Sequence, residues 1–290
     1  MTLVTVLMVV IAAFIHAGWN LLAKRAANVG PAFIMAYSLV STIVYGPWVA
    51  WLLLQSRIDW TVQAMGIVAL SGAVHLAYNL CLQRGYQVAD LSVVYPIARG
   101  TGPLLSTIGA FMILHESPTG SGVLGMLLVV AGILLIATQG RLAIFRRPEG
   151  HAGIRWGATT GGLISVYTVT DAFAVKALGI MPVVLEWITN MLRLVLLMPF
   201  FLSNPRRALG VMRGHWGLAI AVGIMSPMSY ILVLSAMGLG APVSIVAPMR
   251  EMSMMVGTVM GMLVLKEAVG GWRLFGCAVL IAGVVLLALS

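Results

Sequence analysis

Apolar residues run through this chain in long blocks, broken only by short polar or glycine-bearing punctuation. Ten blocks are long enough to read as helical spans: Leu3–Ala23, Phe33–Leu54, Val62–Leu82, Val93–Leu114, Val123–Thr138, Trp156–Ala177, Val183–Leu202, Trp216–Met237, Val243–Leu265 and Trp272–Leu289. Most approach the ~20 residues that an α-helix needs to cross ~30 Å of hydrocarbon. None alternates apolar and polar over the ~10 residues of a membrane β-strand. The pattern therefore predicts an all-α integral membrane protein of ten transmembrane helices. The opening span lacks a basic leader and exceeds the length of a signal-peptide core, so it is expected to be retained.

The stretch 139–155, with Arg141, Arg146, Arg147, Arg155 and several glycines, is expected to be a cytoplasmic linker. It separates residues 1–138 from 156–290, and the two halves repeat. At an offset of 152, Lys24 meets Lys176, Pro47 meets Pro199, Tyr78 meets Tyr230, Ser92 meets Ser244 and Pro96 meets Pro248. At 151, Glu116 meets Glu267, Gly125 meets Gly276 and Gly132 meets Gly283. Apolar matches would carry little weight here; polar and proline matches in one register carry more. Five spans is an odd number, so the second unit must enter from the opposite face. The expected architecture is two inverted five-helix repeats, a plan on which secondary transporters build alternating access. The fifth and tenth spans, short and rich in glycine, are expected to pack rather than line a path.

Composition agrees. The chain has 290 residues, 61% hydrophobic and 9% charged, with mean hydropathy +1.04. The net charge of +9 is read as membrane topology rather than nucleic-acid binding. Twelve of the 17 lysines and arginines fall in loops on one face, two on the other, and three within spans. The positive-inside rule then puts both termini outside a plasma membrane, expected to be a bacterial inner membrane. Cys81 and Cys277 lie in apolar runs without metal-type spacing and read as small buried side chains. No phosphate-binding loop, zinc-protease motif or nucleophile elbow occurs, so neither an enzyme nor a cofactor is expected.

The duplicated ten-span plan resembles the EamA-type family of the drug/metabolite transporter superfamily. So does the local series Ser92, Pro96, Glu116, Gly125, Gly132, repeated as Ser244, Pro248, Glu267, Gly276, Gly283, and so does the opening His16-Ala-Gly-Trp-Asn20 with Lys24. The resemblance implies a polytopic metabolite carrier, often an exporter, with a central cavity between its halves. It names no solute and transfers no site residues.

Candidate site residues come instead from polar groups inside spans, which are costly unless they face protein, water or solute. They are Arg250, Glu251, Asp171, Arg99, His16, Trp19, Asn20, Tyr78, Asn79 and Arg193. Counted at ~1.5 Å per residue, they form two layers: Asp171, Arg250 and Glu251 outside, Arg99 and His16 inside, with Arg193 near the middle. Arg250 leads, because Pro248 frees a backbone carbonyl beside it and because its counterpart, Ala98, shows that the repeat does not require it. Glu186 is expected at the interface, and Glu116 and Glu267 at helix ends. Each buried charge also has a structural reading, pairing that fixes helix register. The expected function is secondary transport of a small anionic or zwitterionic metabolite such as an amino acid. A proton carried by Asp171, Glu251 or His16 is a candidate coupling ion. A flippase for a lipid-linked sugar and an intramembrane enzyme are the alternatives.

Overall fold

The computed structural model describes every residue except 27–28, 56–57, 59, 90, 141–147 and 266–269. Arg57, Arg141, Arg146, Arg147, Lys266 and Glu267 therefore lie outside the described residues. Twelve helices are described, in order: α1 Leu3–Arg25, α2 Pro31–Gln55, α3 Val62–Val88, α4 Leu91–Ile113, α5 Gly120–Thr138, α6 Pro148–Lys176, α7 Pro182–Ser203, α8 Pro205–Val211, α9 Trp216–Gly238, α10 Val243–Arg250, α11 Met252–Leu265 and α12 Gly271–Ala288. Helices satisfy their own backbone polar groups, which hydrocarbon cannot do. Thr61 and Thr119 cap α3 and α5 through hydrogen bonds from the N–H three residues on. Pro182 and Pro205 open α7 and α8, where a missing N–H costs nothing.

Seven of the described helices are long and apolar enough to cross a membrane: α1, α2, α3, α5, α7, α9 and α12. The expectation of ten fails this criterion at α4, α6 and the α10–α11 pair. α4 carries Arg99 and several glycines and threonines, and α6 carries Asp171. The expected ninth span is two helices of 8 and 14 residues, broken at Arg250–Glu251. Pro248 supplies the cause. It has no N–H for the carbonyl of Ser244, and the Thr107 hydroxyl reaches that carbonyl instead, at 3.4 Å. The N–H of Glu251 then closes a tight turn on the Pro248 carbonyl at 3.0 Å. Two further differences are smaller. α6 begins at Pro148, inside the stretch expected to be a linker, because Gly153 lets the helix lie directly on Val93. The short helix α8 had no counterpart among the expected spans.

α5 and α12 cross through glycine. A Cβ on Gly132 would lie 2.8 Å from the Gly276 carbonyl, and one on Gly125 would lie 3.0 Å from the Gly283 carbonyl. The two crossings pair ascending positions on α5 with descending positions on α12, so these helices run antiparallel. At the end of α4, Glu116 caps α10. It accepts from the N–H groups of Val243 at 2.7 Å and Ser244 at 2.9 Å, and from the Ser244 hydroxyl at 2.7 Å. Lys176 joins it at 3.0 Å and also donates to the Ala241 carbonyl at 3.1 Å. Burial by itself raises the Glu116 carboxyl, but the Ser244, Val243 and Lys176 donors outweigh it and hold the group below the usual carboxylate range.

Two stability outcomes follow. Gly132→Leu drives a side chain into the backbone of α12 at Gly276 and Leu280 and should lower the thermal midpoint of the purified protein, at a cost of about 1–3 kcal/mol. Glu116→Gln weakens the cap by roughly 1–2 kcal/mol. Because the folded carboxyl titrates below its unfolded value, its stabilisation is full above the ordinary glutamate range and is lost as pH falls through the folded value. The gap in melting temperature between wild type and Glu116→Gln should therefore close on acidification; a constant gap would discount the ionised cap.

Candidate functional site

Eight helices, α1–α4, α6, α7, α9 and α10, enclose a cavity of about 340 Å³. Its lining reaches Ala23, Phe33 and Leu82 at one end and stops short of the face that holds Glu116 and Lys176. No lining residue comes from α5 or α12. His16, Trp19, Asn20, Tyr78, Asn79, Arg99, Arg193 and Arg250 all line it. The two nominated acids do not. Glu251 is 0% exposed and Asp171 1% exposed, and both stand behind the wall.

The two expected polar layers merge in part: Arg99, His16 and Glu251 form one network, and Asp171 stands apart from it. Arg99 Nη1 lies 3.1 Å from Glu251 Oε2 and donates to Oε1 at 3.2 Å. Its Nη2 lies 3.0 Å from His16 Nε2, and its Nε donates to the Tyr95 hydroxyl at 3.4 Å. An arginine has only donors, so Nε2 of His16 must accept. Counting rise along single helices separated these groups because it ignored the reach of an arginine and a glutamate pointing toward each other. Arg250 Nε lies 3.8 Å from Glu251 Oε1, too far for a hydrogen bond. The Nε atoms of Arg250 and Arg193 and the Trp19 indole N–H are buried without a hydrogen-bond partner among the described residues. Arg193 does bond the Tyr37 hydroxyl through another nitrogen. Each of the three nitrogens of Arg99 thus has a partner, whereas Nε of Arg193 and of Arg250 has none among the described residues.

Glu186 corrects another expectation. It is buried and lines the cavity rather than the membrane interface. Glu186, Thr189, Asn190 and Arg193 are all buried and fall at i, i+3, i+4 and i+7, one polar face of α7 turned inward. Distance along the chain measures depth, not the direction a side chain faces. Asn190 crosses to α2, donating to the Ser38 carbonyl at 3.0 Å and the Thr42 hydroxyl at 3.3 Å. Asn20 and Asn79 both donate at 2.8 Å to the carbonyl four residues back, of His16 and His75.

Aromatic rings form the opposite wall. His75 stacks on Tyr167 at 4.1 Å, and Tyr78 and Tyr230 meet the same ring edge-on at 5.6 and 6.1 Å. Behind them Asp171 accepts from the hydroxyls of Ser71 and, at 2.6 Å, Tyr230. Tyr167, Tyr230 and Ser71 were not nominated from the sequence. Tyr230 was within reach, since it stands 152 positions after Tyr78; Ser71 carried no signal.

Residues 3–138 match the model of the EamA-like transporter family. Over that stretch, just under half of the chain, the sequence is similar to this family. With seven apolar helices of spanning length, the chain reads as a multi-pass membrane protein whose first half is similar to a transporter family. One solved crystal structure of another protein superposes on it with a TM-score of 0.74 over 98% of each chain. At 17% identity that likeness establishes the fold alone. No curated protein matches the sequence.

Removing one partner of a buried ion pair leaves the other charge uncompensated, at a cost of roughly 3–5 kcal/mol. Glu251→Gln should show that loss as a lower thermal midpoint. The double variant Arg99→Gln/Glu251→Gln should recover much of it. Additive losses in the double variant would mean that the two charges are not coupled.

Proposed function

We propose that the protein is a secondary transporter of a small anionic or zwitterionic metabolite, such as an amino acid. It works by alternating access of two inverted five-helix units, 1–138 and 156–290, joined through 139–155. The observation that carries this reading is the cavity itself. Its volume of about 340 Å³ suits a small metabolite, and Arg193 and Arg250 line it, each with a buried Nε that has no hydrogen-bond partner among the described residues. Arginine grips a carboxylate or phosphate through paired donors. The aromatic wall leaves room for an apolar or ring substituent on the same solute.

Contacts between positions one repeat apart support the two-unit reading. Arg99 meets Glu251 and Ser38 meets Asn190, each across 152 positions. Equivalent positions touch when they lie beside a two-fold axis relating the units. The glycine crossings of α5 and α12 exchange under the same relation: Gly125–Gly283 becomes Gly276–Gly132. Antiparallel packing of equivalent helices is what inversion requires. With both termini outside, as the basic loops suggest, the Ala23–Leu82 end of the cavity faces the cytoplasm. The cavity is then open inward, while α10 and its Glu116 cap stand on the outer side. Export is the direction we infer, following the family resemblance. A lipid-linked sugar would need a lateral opening between spans; a cavity ringed by eight helices favours a free solute.

Arg250→Ala, correctly inserted, should abolish flux when reconstituted vesicles are screened with amino acids and small organic anions. Loss of a charged hydrogen bond of ~1.5–3 kcal/mol corresponds to roughly 10- to 100-fold weaker binding. Arg250→Lys should retain part of the flux. Full activity in Arg250→Ala would remove this residue from the solute site.

A further inference from the structure

Asp171 lies apart from the arginines of the cavity. It is 1% exposed, and among the described residues no lysine or arginine comes within ion-pair distance of it. Its partners are neutral hydroxyls, Ser71 on Oδ1 and Tyr230 on Oδ2. The third neighbour is His75, whose Nε2 lies 3.8 Å from Oδ2. On the other side of that ring, Nδ1 lies 3.0 Å from the Ser71 carbonyl, which can only accept. Nδ1 must therefore carry a proton, and in a neutral imidazole Nε2 then presents a lone pair. A lone pair faces a carboxylate oxygen in a buried site, an unfavourable arrangement that a proton between them would relieve.

From this geometry we infer that Asp171, His75, Tyr230 and Ser71 form a proton-binding site that loads from the cavity. His75 and Tyr230 line the cavity and Asp171 does not. A hydronium ion in the cavity gives a proton to the Tyr230 oxygen, and is left as water, as Tyr230 passes its own hydroxyl proton to Oδ2. One O–H bond breaks and one forms at the tyrosine, which stays neutral, and the carboxylate becomes a carboxylic acid. The new acid donates back to the Tyr230 oxygen at 2.6 Å, so its hydrogen stays satisfied, and the His75 Nε2 lone pair at 3.8 Å no longer faces a negative charge. Unloading reverses the hop.

The surroundings define what that proton changes. From α3 the site is faced by Ser71 and His75, from α9 by Tyr230, and from α6 itself by Tyr167. From α10, Arg250 acts on Asp171 through space, and from α7, Glu186 does so with Arg193 beside it. The charged residue of α4, Arg99, is engaged by Glu251. Neutralising Asp171 takes a negative charge away from Arg250 and leaves that guanidinium freer for an anion. On the proposed reading of the cavity as an anion site, proton and solute therefore favour each other and cross together. Export then runs on the solute's own outward gradient, and an inward proton gradient opposes it.

The test is infrared difference spectroscopy on the full-length protein in lipid, comparing acid with alkaline buffer. Wild type should gain a carboxylic C=O band on acidification. Asp171→Asn should lose that band, Asp171→Glu should keep one at a shifted frequency, and Glu186→Gln and Glu251→Gln should leave it in place. Tyr230→Phe keeps the carboxyl but removes a hydrogen bond, so the band should move to higher frequency; this serves where Asp171→Asn fails to fold. An unchanged band in Asp171→Asn, or no titrating band in wild type, overturns the inference. The measurement uses no solute, so a failure of the transport assay leaves its outcome unaffected.

Discussion

A charge inside hydrocarbon needs a partner, and the arrangement of this molecule follows from that requirement. Arg99 and Glu251 satisfy it at the centre, one from each half of the chain, with His16 and Tyr95 partnering the other two nitrogens of the arginine. The pair fixes how α4 approaches the break between α10 and α11. Separating the two residues would strand both, at several kcal/mol each on insertion scales. The α10–α11 break and the pair belong together: Pro248 opens the helix so that Glu251 occupies a turn, where its side chain can aim across to α4.

The helices were legible because a backbone in lipid must bond to itself, and apolar runs of spanning length leave it little alternative. Their ends moved by a few residues, as at α3, which runs on to Val88 because its last turns leave the apolar run without losing helical bonds. The break at Arg250 was half legible: Pro248 announced a freed carbonyl, but nothing in the sequence said that Thr107 would take it. Part of the cavity lining was legible. Polar residues in apolar helices turn toward other protein, so Arg99, Arg193, Arg250, His16, Trp19, Asn20, Tyr78 and Asn79 converge. Their division into wall and backing was not legible. Whether Asp171 touches the cavity or stands behind Tyr230 depends on side-chain packing among three helices, which spacing along one helix does not encode. Glu186 was misplaced for the same reason.

The lining residues differ in what they are free to do. Arg99 holds neighbours on three sides, and Asn20 and Asn79 spend their amides on their own helices. Arg193 and Arg250 keep unused donors. In a low-dielectric cavity an unused donor is a standing cost that an arriving acceptor removes, so affinity concentrates where the protein leaves itself incomplete. The packing of α5 on α12 is the opposite case. Glycine there brings backbones together and leaves no space for a solute, which suits a rigid support better than a wall.

The two-unit reading gives the central pair a further meaning. Where a two-fold axis relates two copies, equivalent positions meet, and identical residues would set arginine against arginine or glutamate against glutamate. A pair of identical five-helix chains could place no ion pair between equivalent positions on its axis. One chain carrying both copies can let them differ, and on the proposed two-unit reading this one does so at the axis: Arg99 against Glu251, and the Ser38 carbonyl against the Asn190 amide. Divergence of the halves is then a physical requirement at these positions. The same freedom lets Arg250 stand opposite Ala98 in the repeat, so the cavity can carry a charge on one side that its symmetry mate lacks. A solute with an anionic end and a different other end needs that asymmetry.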